Sequence, residues 1–317
     1  MLNKTAIVVA IGFLSLGAQA SELAAEKDKK FEVNVDVGAY LLSKKDATGT
    51  SQNEFLGKGL NQIEIKATHT LPNGMSVFGE IEVDYDPIVD NGTILTDDVR
   101  LGIASKDWGR ISFGQFDSFF EDNVMEVLGV GHGENGFMTE PSSSNDGRAI
   151  AYSNKIGDFA FGLDLTFSNN VAKNDQSNGL AMGLSYKIGD LTLSAGQSTI
   201  AKYKSDTSLP NTAKSATGLA ATYKLGDIKL MALIANEEST TKVTTDYAGV
   251  GLVYTAGEFD FGVSLQNRKE GSTNFSEWSA GVGYTPFKGM QVYFDLNGLG
   301  KPNANGDIVE AGIKYSF

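Results

Sequence analysis

Five times in the second half of this chain, a strand-like run ends on a tyrosine and then reverses on a glycine. The copies are Tyr152–Phe159 (YSNKIGDF), Tyr186–Leu191 (YKIGDL), Tyr223–Ile228 (YKLGDI), Tyr254–Phe259 (YTAGEF) and the looser Tyr284–Met290 (YTPFKGM). Their tyrosines are spaced 34, 37, 31 and 30 residues apart. That period is the length of one β-hairpin plus one longer connection, and such a repeat constrains the whole fold. It implies short turns at one edge, longer variable loops at the other, and an aromatic marker on the short-turn edge. Membrane β-barrels have this asymmetry, with aromatic girdles at both interfaces.

Between the turns the side chains alternate with a period of two, the spacing that sends neighbours to opposite faces of a strand. Val309, Ala311, Ile313, Tyr315 and Phe317 alternate with Ile308, Glu310, Gly312, Lys314 and Ser316. Phe31, Val33, Val35, Val37 and Ala39 oppose Glu32, Asn34, Asp36 and Gly38; Phe159 to Phe167 and Phe259 to Leu265 follow the same rule. Applied throughout, the pattern predicts sixteen strands, at 31–43, 59–70, 75–85, 94–105, 109–117, 147–154, 158–168, 178–187, 190–199, 215–224, 227–236, 246–255, 258–268, 275–284, 289–298 and 308–317.

Two architectures could hide an apolar face. A soluble sandwich would press it against a second sheet, using strands of about 5–6 residues. The strands here approach the ~9–11 residues that cross a bilayer at a tilt, and their other face is small and polar. Backbone groups cannot stay unpaired in hydrocarbon, so a lipid-facing sheet must close. The expected fold is therefore all-β: a 16-stranded antiparallel transmembrane β-barrel, wide enough for water, with a long third loop folded into the lumen. The short connections include Leu71-Pro72-Asn73-Gly74, Ser105 to Gly109 and the five tyrosine turns. The long connections are expected at 44–58, 86–93, 118–146, 169–177, 200–214, 237–245, 269–274 and 299–307.

The first residues have a different character. Lys4, the 12-residue apolar run Ala6–Gly17 and the small-residue site Ala18-Gln19-Ala20 form a secretory signal. The run is too short for a spanning helix, which needs about 20 residues. Residues 1–20 are thus expected to be cleaved, leaving 21–317 as one barrel domain. Removing that single lysine takes the formal charge from −13 to −14. Such a charge disfavours nucleic acid as a partner. There is no cysteine, so disulfides contribute nothing to stability.

One connection is unusual. Residues 118–146 exceed the ~12–15 residues of an ordinary loop and include Phe119, Phe120, Val124, Met125, Val127, Leu128, Val130, Phe137 and Met138. So many apolar groups predict a segment packed against the inner wall, narrowing the passage; an outer cap is the competing placement. Its acids Glu121, Asp122, Glu126, Glu134, Glu140 and Asp146 become candidates for the constriction. Opposite them, the wall offers Lys66 and Arg100, inward by parity, and Arg148, whose parity matches Ile150 and Tyr152. Arg110 is placed at the short-turn mouth. Charged rings of this kind select permeating ions, although each of these charges could equally serve an ordinary cross-strand pair.

With the signal segment, sixteen amphipathic strands, the segment Gly109–Asp117 (GRISFGQFD) before the long loop, the Tyr-x-x-Gly-Asp turns and the terminal Tyr315-Ser316-Phe317, the mature chain resembles the general diffusion porins of Gram-negative outer membranes. The resemblance implies a homotrimer in outer-membrane lipid and lipopolysaccharide, with 86–93 as a latch between subunits. It also implies that Tyr315 and Phe317 form the signal read by the barrel-assembly machinery. The chain departs from many relatives in two places. Gly136–Pro141 stands where they carry an acidic Pro-Glu-Phe-Gly-Gly stretch, and Phe119-Phe120-Glu121 stands where some place a wall arginine.

The function expected is passive diffusion of small hydrophilic solutes and ions, mildly cation-preferring. Inward acids (Glu32, Asp36, Glu64, Glu80, Glu82, Asp84, Asp164, Asp260, Glu277 and Asp295) outnumber inward bases. The alternative is a channel specific for a sugar or oligopeptide, which needs an aromatic track; Phe78, Tyr40, Tyr247 and Tyr293 have inward parity but are scattered. An adhesive role of the outer loops stays open beside either. An enzyme is disfavoured: His69 and His132 are the only histidines, and neither a Ser-His-acid device nor clustered metal ligands can be assembled from them. No cofactor is called for.

Overall fold

The computed structural model describes residues 28–45, 51–56, 61–86, 93–133, 148–167, 178–199, 213–239, 242–298, 300 and 307–317. Among them the strands run β1 (Lys29–Lys45), β2 (Ser51–Leu56), β3 (Gln62–Thr70), β4 (Ser76–Asp86), β5 (Thr93–Ser105) and β6 (Gly109–Gln115). A short helix α1 (Phe119–Val124) and a 3-10 turn (Met125–Leu128) follow. The wall then resumes with β7 (Arg148–Ile156), β8 (Phe159–Phe167), β9 (Asn178–Ile188), β10 (Leu191–Thr199), β11 (Ala213–Leu225) and β12 (Ile228–Ser239). It finishes with β13 (Thr244–Ala256), β14 (Phe259–Glu270), β15 (Thr273–Phe287), β16 (Met290–Gly298) and β17 (Ile308–Ser316).

Every pairing is antiparallel and the sheet closes: β1 pairs with β17 from Asp36↔Ser316 to Lys44↔Ile308. On its other edge β1 pairs with β3 along its first half and with β2 along its second. The pieces β2 and β3 therefore occupy one position in the wall, and the barrel has sixteen strands. The seam is sealed by reciprocal backbone bonds between Val35 and Phe317, at 2.9 and 3.0 Å.

The outside is apolar. Leu41, Leu101, Phe113, Leu163, Leu184, Leu219, Ile234, Val250 and Leu265 are all exposed there. The opposite parity carries the polar and small residues, so the polypeptide places oil outside and water-compatible groups inside, as lipid solvation demands.

The tyrosine repeat acquires a physical meaning in the register. Phe159 faces Tyr186, Leu191 faces Tyr223, Ile228 faces Tyr254, Phe259 faces Tyr284 and Met290 faces Tyr315. Each turn's first outgoing residue thus packs on the tyrosine of the next repeat; the Phe259 and Tyr284 rings stack at 4.6 Å. The residue after that tyrosine donates its N–H to a carbonyl of the preceding turn, as in Lys187 to Asp158 and Lys224 to Asp190. In the first four turns glycine takes φ of 59 to 64°. A two-residue hairpin loop with positive φ at its first position has the II′ pattern, and glycine adopts that φ without a Cβ clash.

Three expectations need correction. Ser51–Leu56, assigned to a loop, is strand β2, because Asn53 and Phe55 continue the wall against Ser43 and Leu41. The connection expected at 269–274 is a tight turn at Gly271-Ser272, with φ 58° at Gly271. Likewise β12 runs to Ser239 and β13 begins at Thr244, so 237–245 is mostly strand. In each case polar outward residues at the upper rim resemble loop composition, while the ladder continues through them.

Candidate functional site

The lumen is shaped by the segment after β6. Ser118 starts it: its backbone is extended and its hydroxyl accepts from the Glu121 N–H at 3.2 Å, with Glu121 and Asp122 in the first turn. This is the capping arrangement of Ser-x-x-Glu, with acids placed favourably at the helix N-terminus. Along the following residues Phe120, Val124, Met125, Leu128 and Val130 turn to the barrel wall and are buried with Ala181, Ala216, Ala220, Met231, Leu233, Ala235 and Tyr247. These wall residues alternate with lipid-facing Met182, Leu219, Leu230 and Ile234, so the contact is on the inner surface. The described part of the loop, through Gly133, lies against the wall inside the barrel.

The wall makes room for it with glycine. Gly162, Gly183, Gly196 and Gly218 are directly opposite one another on β8, β9, β10 and β11. A methyl at these positions would run into Phe119, Phe120, Val124 or Met125. Farther round, Gly249 admits Leu128, Gly262 admits Val130 and Gly283 admits His132. A row of missing side chains is thus a track into which the loop's apolar groups fit, each large side chain contributing about 1.5–3 kcal/mol by leaving water.

Two wall carboxylates hold the track's ends. Asp164 on β8 accepts from the Phe119 N–H at 3.2 Å. Asp295 on β16, 0% exposed, accepts from the His132 and Gly133 N–H groups, both at 2.8 Å, and contacts His132 Nδ1 at 3.3 Å. Beside it Tyr293 donates to Glu310 at 2.7 Å. Glu277 is likewise engaged, accepting from Arg268 Nε at 2.8 Å and Gln266 at 3.1 Å. Asp164, Glu277 and Asp295 have the inward parity the sequence assigned, yet they brace the structure rather than face the permeating solution.

Away from the loop's track, the inner wall of β3 to β6 carries a set of charges. Lys66 pairs with Glu64 and, at 3.1 Å, with Glu80. Arg100 is 3.7 Å from Asp98 and stacks over the Phe116 ring at 4.3 Å. Arg110, below it, is 3.5 Å from Glu80 and 3.8 Å over Phe78. From the loop, Asp122 and Glu126 face this wall. Burial pushes the Asp122 carboxyl above its usual range, with Arg100 pulling against the shift. Burial also raises Glu126, reinforced by the charges of Asp117 and Asp122. Glu121 is half-buried at the helix start. Glu134, Glu140 and Asp146 lie outside the described residues, as do segment 87–92 and residues 1–27; Arg148 opens β7, and its side chain is outside the description too.

One feature of the inner wall escapes strict parity. Between Ile81↔Val99 and Val83↔Thr96 the β4–β5 ladder slips, so Asp97 and Asp98 together oppose Glu82. Such a bulge sets two residues against one. It brings carboxylate oxygens of Glu82, Asp84 and Asp97 within 4.8 Å of one another. Gln62 donates to Glu82. The adjacent Asp-Asp pair was the available signal, because uninterrupted alternation would have put one of them in lipid. The scattered inward aromatics do not make a track: Tyr40, Tyr247 and Tyr293 are buried, and Phe78 is covered by Arg110.

The Gram-negative porin family model matches residues 5–298. Among curated proteins, no sequence matches the chain. Among solved structures, an anion-selective porin from Comamonas acidovorans superposes with a TM-score of 0.72 at 14% identity, covering 91% of this chain and 100% of that one. An OmpT variant of Vibrio cholerae lacking loop L8 gives a TM-score of 0.72 at 15% identity, over 92% and 100%. OmpF of Salmonella typhi in complex with daunomycin gives 0.72 at 15% identity, over 92% and 98%.

Proposed function

This chain belongs to the Gram-negative porin family and forms an outer-membrane channel for passive diffusion; we propose that it passes small hydrophilic solutes with a mild preference for cations. The observation that carries the preference is the carboxylate cluster Glu82, Asp84 and Asp97, whose oxygens lie within 4.8 Å of one another. Lumen charge tunes porin selectivity, and the facing cations Lys66, Arg100 and Arg110 are each within ion-pair distance of an acid. The test is a reversal potential in a salt gradient across a planar bilayer: the sign must report cations as the more permeant ion, and a firm anion preference refutes the reading.

The chain acts as a homotrimer contacting lipopolysaccharide, exported by a signal at residues 1–20 and recognised by the assembly machinery through Tyr315 and Phe317. Supporting this, Tyr315 and Phe317 stack at 5.7 Å on the outer face of the closing strand. The sugar- or peptide-specific alternative is the weaker one, because the inward tyrosines are engaged in the wall. Saturable block of conductance by one such solute would revive it.

A further inference from the structure

The lumen's charges are sorted along its axis as well as across it. Lys155, Lys187, Lys224 and Lys229 each sit one pair above the closing pair of a short turn: Lys155↔Ala160 above Ile156↔Phe159, Lys187↔Thr192 above Ile188↔Leu191, and Lys224↔Lys229 above Leu225↔Ile228. All four alternate with lipid-exposed Ile156, Tyr186, Ile188, Tyr223, Leu225 and Leu230, so they share the inner face and one level. Among the described residues no carboxylate lies within ion-pair distance of their ammonium groups. Arg110, one pair above the Ser105↔Gly109 pair and opposite Ser153, is already matched by Glu80 at 3.5 Å. With Lys106 and Lys155 it lines a recess of about 410 Å³ under Phe119.

Several inward acids near this level are paired with cations other than these four lysines. Asp36 is taken by Lys314 at 2.7 Å, and Glu32 by Lys30 at 2.6 Å. Asp260 accepts from the Thr255 hydroxyl at 2.6 Å and keeps its negative charge, and the exposed Asp158, Asp190 and Asp227 stand in the turns three residues beyond Lys155, Lys187 and Lys224. At the other end of the β4 wall stand Glu82, Asp84 and Asp97. Glu82 is six residues along β4 from the Arg110 level at Ser76, about 20 Å of strand at ~3.4 Å per residue and about 15 Å along the axis at the usual barrel tilt.

We propose that this channel rectifies: an acidic upper zone and a basic short-turn mouth in series make ion flow larger in one direction than the other. The inference rests on the channel reading proposed above and takes the short turns to face the periplasm and the long loops the exterior, as in bacterial outer-membrane barrels. When the extracellular side is positive, cations enter through the acidic zone and anions through the basic mouth, so both accumulate between the zones. Reversed polarity draws both out and depletes the junction. Each zone works by focusing counter-ions, over a distance set by screening: about 30 Å at 0.01 M salt and about 3 Å at 1 M.

The experiment is single-channel current–voltage recording in symmetrical salt. Asp190→Cys in this cysteine-free chain, labelled with a charged thiol reagent from one chamber, reports which mouth faces which side. Larger current with the extracellular side positive, falling to a ratio of about one at 1 M salt where the zones no longer overlap, supports the proposal. So does loss of the asymmetry on changing all four lysines to Gln, the step at 1 M serving as the check on folding. Ohmic current in dilute salt, asymmetry of the opposite sign, or an unchanged ratio in the lysine variant overturns it. If that variant does not assemble, Glu82→Gln with Asp97→Asn must reduce the ratio instead, and an unchanged ratio there is equally fatal. Absence of any current step would refute the channel itself, a distinguishable failure.

Discussion

Asp295→Ala tests whether the loop is held by its wall clasp. The carboxylate receives two backbone N–H groups at 2.8 Å. A hydrogen bond to a charged acceptor contributes about 1.5–3 kcal/mol, so two contribute about 3–6. Lumen water can reach the vacated donors of His132, which keeps the loss near the lower end. About 3 kcal/mol corresponds to roughly a hundredfold shift between seated and released tip. The strand ladder loses nothing, since Asp295 pairs with Glu310 and Gly281 through the backbone. Single-channel recording should then show excess current noise and a larger mean step, while the barrel keeps its folded mobility in unheated detergent gels. Asp295→Asn retains a neutral acceptor and should fall between the two. A folded Ala variant with parental noise and step size would show that the apolar track alone seats the loop, refuting the reasoning.

The remaining predictions concern the track, the charges and the turns. Gly196→Val places a side chain where the Phe120 ring lies and should unseat α1, enlarging the step; an unchanged conductance would contradict the track. Asp122→Asn with Glu126→Gln should move the reversal potential toward non-selectivity, whereas Arg100→Ala should move it toward cations. Because burial raises both carboxyls, they take up protons before ordinary carboxylates as pH falls; cation preference should decline above pH ~4, the usual carboxylate range. The sign for seating is opposite: the ionised acids are disfavoured in the seated loop, so seating weakens as pH rises through their raised pKa values, measurable as noise against pH. Gly189→Val forces a β-branched residue to a φ of 60°, costing about 1–2 kcal/mol, and should slow refolding into detergent micelles.

Alternation and the tyrosine repeat were enough to specify a closed barrel, its sidedness and its strand count, because a period of two admits only one apolar face and lipid admits no open edge. The same rule gave Lys66 and Arg100 inward parity, and the apolar content of 118–146 predicted contact with the wall, which the described residues Phe120 to Val130 make. Parity tells which way a side chain points but not what fills the space in front of it. Hence Asp164, Glu277 and Asp295 read as pore charges although they are occupied by the loop and Arg268. The Asp97-Asp98 bulge escaped for a related reason: one extra residue resets the alternation, and only the partner strand reveals where. The glycine track was equally invisible, since Gly162, Gly183, Gly196 and Gly218 lie far apart in the chain and become one groove only when four strands align. Sequence determined the barrel because that depends on local periodicity and solvent; tertiary structure decided where the loop is seated, because that depends on cross-strand register and on one loop crossing the wall from β8 to β16.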